Sequence, residues 1–317
     1  VILAVKEEIL VKIITFVLLI NIILMISLFS IIVEAAADSH VIFNKMDNAG
    51  DDYGPGTYNY PLNHIFKKEG HLFDLLSLTI YESEKHYSFE FKFTKLSDPW
   101  NSRFGFSLPL IEIYFDNKDG GADKLFQKGA NISFSEDFKW DKYLKISGWW
   151  VRLFEPDDIG KDLYNLNENA LIDPFAAKTA VVDKRENTII MRIAKKELGL
   201  LDNSKFVLLI GSFDPFGFGH YRSVSDTPAS WQLYDLSGRD IKKAPSVVDI
   251  LVPDGKDQKK ILSEGDLPVV PYLKLKPSMP VFKKLTAYYF TEKNLIIVFA
   301  FLFYLYLIYV FIKKYKV

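Results

Sequence analysis

The stretch HYSFEFKFTKL, residues 86–96, constrains the fold more than any other. Tyr87, Phe89, Phe91 and Phe93 alternate with Ser88, Glu90 and Lys92, the period of a strand with one face in a core and the other in water. FDLLSLTIYES (73–83) precedes it, and Glu84-Lys85 joins the two, which predicts an antiparallel hairpin. FSLPLIEIYFD (106–116), KYLKISGWWVRLF (142–154) and NTIIMRIAKKEL (187–198) continue the strand pattern. KFVLLIGSFD (205–214) is nearly all apolar, as a central strand covered on both faces would be. Pro109 predicts that its strand lies at an edge or carries a bulge. Helical turns are expected only in LNENALIDPFAAK (166–178) and in AKKELGL (194–200), where Gly199 marks the end. Many short strands separated by Gly, Pro and Asp turns predict an all-β chain, an antiparallel β-sandwich, over residues 38–255.

Two apolar runs flank this region, and the expected architecture adds a hydrophobic helix at each end. Residues 13–33 are apolar apart from Asn21, Ser27 and Ser30, and residues 295–312 contain no charge. Each is long enough to cross a bilayer as a helix of about 20 residues. Ala35 and Ala37 also form a small-x-small cleavage site before Asp38, so residues 1–37 read as a signal peptide or a signal anchor. Lys313, Lys314 and Lys316 place the tail 314–317 in the cytoplasm, with the span at 294–313, and Lys6 and Lys12 put the N-terminal flank on the same side. The expected location is therefore the cell membrane, with the main domain extracellular. Pro268, Pro271, Pro277 and Pro280 interrupt residues 256–293, which predicts a semi-rigid stalk. Asn131-Ile132-Ser133 is then a candidate glycosylation site.

Composition removes several functions. Lys plus Arg number 39 against 40 Asp plus Glu, so no basic excess points to nucleic acid. Cysteine is absent, which excludes disulfides, thiolate metal sites and cysteine nucleophiles. No phosphate-binding, zinc-protease or nucleophile-elbow motif occurs, so no catalytic role is expected. GFGH (217–220) reads as a plain loop, and His64 and His71 as solvated loop histidines.

Two acidic turns raise the question of an ion. In GDDYGPGTYNYP (50–61) and just before it, Asp47, Asp51 and Asp52 surround Gly50; later, Asp116, Asp119 and Asp123 surround Gly120 and Gly121. Calcium takes six to eight oxygen ligands from such loops, although Asp-Gly turns are also common without an ion. Calcium is thus the candidate cofactor. The aromatic residues offer a second chemistry, because an exposed ring can stack on the C–H face of a sugar. Trp149 and Trp150 are neighbours in a strand-like segment, so one is expected in the core and the other outside. Pro99 and Asn101 place Trp100 in a loop, where Asn101 and Asp98 would orient hydroxyl groups. Tyr58 is a further candidate surface. Core packing is the alternative for every one of these rings.

GDDYGPGTYNYP, FDLLSLTIYE, DPWNSRFGFSLPLIEIYFDNKDGG and GSFDPFGFGHYRSV, followed by Trp231, stand in the order found in the C-terminal module of glucodextranase. Residues 41–255 resemble that family, and are similar to the region appended to some archaeal pullulanases. The resemblance implies a sandwich like DOMON domains and family-nine carbohydrate-binding modules, outside the cell, that holds a polysaccharide or a cell-envelope glycan. It further implies that the opening loop is a structural turn with calcium at the sandwich edge. The large catalytic domain of glucodextranase has no counterpart in this sequence, so hydrolase activity is not expected. Two alternatives stand beside a membrane-anchored glycan-binding module: a surface-layer or filament-type protein that self-assembles, and an accessory subunit of a polysaccharide-degrading or sugar-uptake complex.

Overall fold

In the computed structural model, which describes residues 39–67, 70–161 and 173–276, the alternation at 86–93 is a strand with Tyr87, Phe89, Phe91 and Phe93 all buried. The strands in chain order begin with β1 (His40–Met46), β2 (Tyr58–Asn59), β3 (Leu75–Glu82), β4 (His86–Phe93) and β5 (Pro109–Asp116). The middle set is β6 (Ser133–Phe134), β7 (Lys142–Ile146), β8 (Val151–Phe154), β9 (Val181–Arg185), β10 (Thr188–Ala194) and β11 (Lys205–Ser212). The last are β12 (Val224–Ser225), β13 (Leu233–Asp235), β14 (Val247–Ile250), β15 (Val269–Val270) and β16 (Leu273–Lys274). Short helical segments occur at His64–Lys67, Lys195–Leu198 and Gln258–Ser263, the second ending at Gly199 with φ 89°.

Two antiparallel sheets organise the chain. One has five strands in the order β1-β3-β4-β10-β9. The other has six, β14-β11-β5-β7-β8, with β16 also paired to β11. On β5 and β11 successive side chains leave opposite faces, and both faces are apolar. Ile111, Ile113, Phe115, Phe206, Leu208 and Ile210 meet the five-stranded sheet, with Phe115 5.9 Å from Phe89 and Phe206 4.9 Å from Phe43. Leu110, Tyr114, Val207 and Leu209 face the other way, into a second core closed by Phe126, Phe138, Trp140, Leu262 and Val270. The described region is therefore essentially all-β, with two stacked sheets and a further layer of loops over the larger one.

Three sequence expectations are corrected by this arrangement. β5 is central, between β11 and β7, and Pro109 is its first residue, where a missing N–H costs the ladder nothing. Trp149 and Trp150 lie in the turn between β7 and β8, not in a strand, so strand alternation does not apply to them. The folded region continues past 255 into the segment expected to be a stalk. Gln258 accepts from Ile250 N at 2.6 Å and donates to the carbonyl of Asp51 at 2.5 Å, β15 pairs with β6, and Leu275 N donates to Ser204 O at 2.8 Å. Both apolar runs, the stalk beyond 276 and the expected helical turn up to residue 172 lie outside the described residues. Among the described residues no helix is long and apolar enough to cross a membrane.

The boundary has a measurable consequence. Leu262, Val270, Leu273 and Leu275 are buried, and burying such side chains contributes roughly 1.5–3 kcal/mol each, together comparable to the about 5–15 kcal/mol that stabilises a domain. A chain ended after residue 255 is expected to be digested rapidly in limited proteolysis, whereas one ended after 276 resists. Equal resistance would return residues 256–276 to the stalk.

Candidate functional site

Four loops at strand ends build an aromatic cleft. The first is the β7–β8 turn. Ser147 Oγ accepts the backbone N–H of Trp149 at 3.2 Å and of Trp150 at 3.3 Å, which holds both indoles on one tight turn. Gly148 is required there, because a Cβ would sit 1.7 Å from the carbonyl oxygen of Phe106. The second loop carries Trp100. Asp98 accepts Ser102 N with both carboxylate oxygens, at 2.9 and 3.0 Å, and Ser102 Oγ donates to Phe106 O at 2.6 Å. This closure stacks Trp100 on Trp149, with centroids 6.5 Å apart and planes 27° from parallel.

The third wall is the segment after β11, and the fourth is Trp231. Phe213 packs 5.0 Å from Trp149, Phe216 is 95% exposed beyond it, and Trp231 is half exposed. A buried guanidinium joins these two walls. Arg222 donates to Ser212 Oγ at 3.0 Å, to Phe213 O at 2.7 Å and to Trp231 O at 2.5 Å. Asp214 lies 3.6 Å from the same arginine and caps Phe216 N at 3.0 Å. Together Trp100, Trp149, Trp150, Phe213, Asp214, Pro215, Phe216, Arg222 and Trp231 line a cleft of about 670 Å³. Its walls are apolar faces, with one half-buried carboxylate among them, the composition of a pocket that grips by shape and orients by a few polar groups.

A profile of the C-terminal binding module, SLH-like, of glucodextranase matches residues 42–273. The chain belongs to this family. Membership makes it a binding module, and the matched span reaches β16, in accord with the folded region rather than with a stalk beginning at 256. No curated protein sequence matches the chain.

Within this family member the sequence-predicted residues divide. Trp100, Trp149 and Trp150 meet at the cleft. Asp98 and Asn101 do not line it: Asp98 is engaged by the backbone of its own loop, and Asn101 is the exposed positive-φ residue (49°) of that turn. Tyr58 is withdrawn from any ligand, buried with its hydroxyl donating to Pro245 O at 2.7 Å. Half-buried Asn131 has φ 55° and its side-chain amide donates to Ala244 O at 2.9 Å. Sequence reasoning missed Asp214, Phe216 and Arg222 as cleft residues. The signal was the GSFDPFGFGHYRSV segment, whose exposed aromatic residues could not be distinguished from core ones.

The acidic turns are likewise rearranged. Asp52 is completely buried, and its carboxylate accepts from Tyr60 Oη and from Phe73 N at 3.1 Å and lies 3.1 Å from His71 Nδ1. It closes the opening loop as a hydrogen-bond acceptor, while Tyr53 stacks on Tyr60 at 5.5 Å. Asp51 instead meets Asp74 and Asp249, with ligand oxygens within 4.8 Å of one another. The second turn gathers no comparable group among the described residues: Asp116 lies 3.5 Å from Lys205 Nζ, Asp119 is exposed, and Asp141 caps Asn117 N and Lys118 N.

Behind the cleft, Lys145 Nζ is buried between Glu112 (3.0 Å) and the carbonyl of Gly219 (2.6 Å), tying the 214–220 loop to β7. His220 in that loop stacks on Phe213 at 5.8 Å. Burial, with the charges of Lys145 and Arg152, holds the pKa of His220 down at about 3 against its usual 6.5. Folded His220 thus stays neutral at pH 5, where the unfolded chain binds a proton. This group weakens stability as pH falls from about 6.5 towards 3. Between pH 7.5 and 5 it should cost the wild type about 2 kcal/mol that His220→Gln does not lose, read as the change in their difference in urea unfolding free energy. A difference that stays constant with pH would show His220 protonated in the fold.

Proposed function

We propose that the chain is a non-catalytic, cell-surface module that holds carbohydrate, either a polysaccharide or a cell-envelope glycan, by stacking it in the aromatic cleft. The observation that carries this reading is the convergence of Trp100, Trp149, Trp150 and Trp231 on one open cleft beside Asp214. Flat apolar faces complement the C–H faces of pyranose rings. Asp214, only partly used by Phe216 N and Arg222, supplies an acceptor that a sugar hydroxyl can reach. The SLH-like description of the family favours an envelope glycan among the carbohydrates. Display at the membrane rests on the apolar runs 13–33 and 295–312 and their flanking lysines.

Assembly through strand edges finds less support. β9, at one edge of the five-stranded sheet, exposes Val181 but carries Asp183, Lys184 and Arg185, and β1 at the other edge is irregular between Val41 and Phe43. Charges and bulges at edges oppose pairing with another chain. An accessory role in a polysaccharide-degrading or sugar-uptake complex is compatible with the same cleft.

The full chain, held in a detergent without a sugar headgroup, should show quenching of tryptophan fluorescence when titrated with α-glucan oligosaccharides or envelope glycans. Trp231→Ala and Asp214→Asn are each expected to weaken binding at least about tenfold, or about 1.4 kcal/mol, with little change in melting temperature for half-exposed Trp231. Failure of every glycan to perturb the spectrum would refute the cleft as a sugar site. For the topology, protease added to intact cells should remove the sandwich and leave a C-terminal tag protected. Digestion of the tag from outside would reverse the orientation.

A further inference from the structure

Asp51, Asp74 and Asp249 come from three separate parts of the fold. Asp51 is in the loop after β1, Asp74 directly precedes β3 of the five-stranded sheet, and Asp249 lies in β14 of the six-stranded sheet. Each offers a carboxylate oxygen within 4.8 Å of the others. Hydrogen bonds fix one oxygen of Asp249 and both of Asp74, and each carboxylate oxygen that accepts one bond keeps a second lone pair. Leu75 N donates to Asp249 Oδ2 at 2.7 Å, and Gly50 N donates to Asp74 Oδ1 at 2.8 Å, with Thr94 Oγ1 on the other oxygen.

The remaining oxygens carry the inference. Asp249 Oδ1 and Asp51 Oδ1 are buried with no hydrogen-bond donor among the described residues, although Asp249 is 0% and Asp51 8% exposed. Asp47 Oδ2, also without a donor, belongs to a carboxylate that repels Asp51 and Asp249. Lys45, the cation on the Asp47 side, is bonded to Asp254 instead. Buried carboxylate oxygens are ordinarily satisfied by donors or by a cation, and among the described residues these have no donor, with only the charge of Lys259 acting on Asp51.

We propose that Asp51, Asp74 and Asp249 bind a calcium ion that pins the opening loop and ties the two sheets together. The donor set is all oxygen, without the imidazole or thiolate that zinc and softer metals favour. Calcium also tolerates several carboxylates at flexible geometry and fills its remaining positions with water, to which the slight exposure of Asp51 gives access. Asp47 adds negative charge to the site, whereas Asp52 does not belong to the cluster: its carboxylate is directed at Tyr60, His71 and Phe73. No residue is shared with the aromatic cleft, so the ion and the glycan are tested independently.

Full chain stripped with EDTA and held in detergent should melt about 5–10 °C higher in calcium chloride at a hundred times its dissociation constant. Terbium chloride should give tyrosine-sensitised emission that calcium displaces. Asp249→Asn and Asp51→Asn should each lose the calcium shift and the emission. In EDTA, Asp249→Asn should melt at or above the wild type, because it removes a repelled buried carboxylate; a merely structural hydrogen-bonding role predicts a lower melt. Should Asp249→Asn fail to fold, Asp51→Asn decides by the same readings. Superimposable melts in calcium and EDTA without terbium emission, or a calcium shift retained in Asp51→Asn, would overturn the site.

Discussion

The structure depends on the pairing of β5 with β11. Eight residues of each strand are in register, from Lys205 opposite Asp116 to Ser212 opposite Pro109. Because side chains alternate across a strand, this one ladder supplies apolar groups to both cores. The five-stranded sheet packs on one face, and the loops that surround Trp140 and Phe126 close the other. Burial on both faces explains why these two strands lack the polar alternation of β4.

Two buried cations extend that scaffold to the cleft. Lys145 reaches from β7 to Gly219, and Arg222 joins the end of β11 to Trp231. The Lys145–Glu112 pair lies in the second core, and removing either partner would leave a charge buried and uncompensated. Its value is positional: it holds the 214–220 loop against the six-stranded sheet. The cleft thus follows a general division of labour, in which loops present the contacting groups and strands fix where those loops start and end.

Legibility in the sequence followed the range of the interactions. The β3–β4 hairpin, the central character of β11 and the helical turn ending at Gly199 depend on period and local turn chemistry, and each was readable. Trp100 was readable as a loop aromatic from Pro99 and Asn101. Its neighbours Asp98 and Asn101 were misassigned because nearness in sequence does not show whether a polar group faces a ligand or its own backbone. Trp149-Trp150 failed for a related reason: the strand period carries no mark of where a turn interrupts it, and Gly148 was the only local sign. Tyr58 looked like its loop neighbours, yet a hydrogen bond to Pro245, 187 residues away, removed it from the surface.

By itself, the sequence determined the class of the fold, the lack of any thiol chemistry, the two apolar runs and the family, because each is a property of composition, period or ordered motifs. Tertiary structure decided which aspartates converge and which rings line a cleft. Asp51 was visible beside Asp52, but Asp74 and Asp249 join it only because β3 and β14 sit in facing sheets and Leu75 N reaches Asp249. Trp100 and Trp231 are likewise brought to one cleft across 130 residues by the ladders that place their loops. Such convergence is set by strand order and register, which arise from long-range pairing and packing and leave no signature in any single stretch of chain.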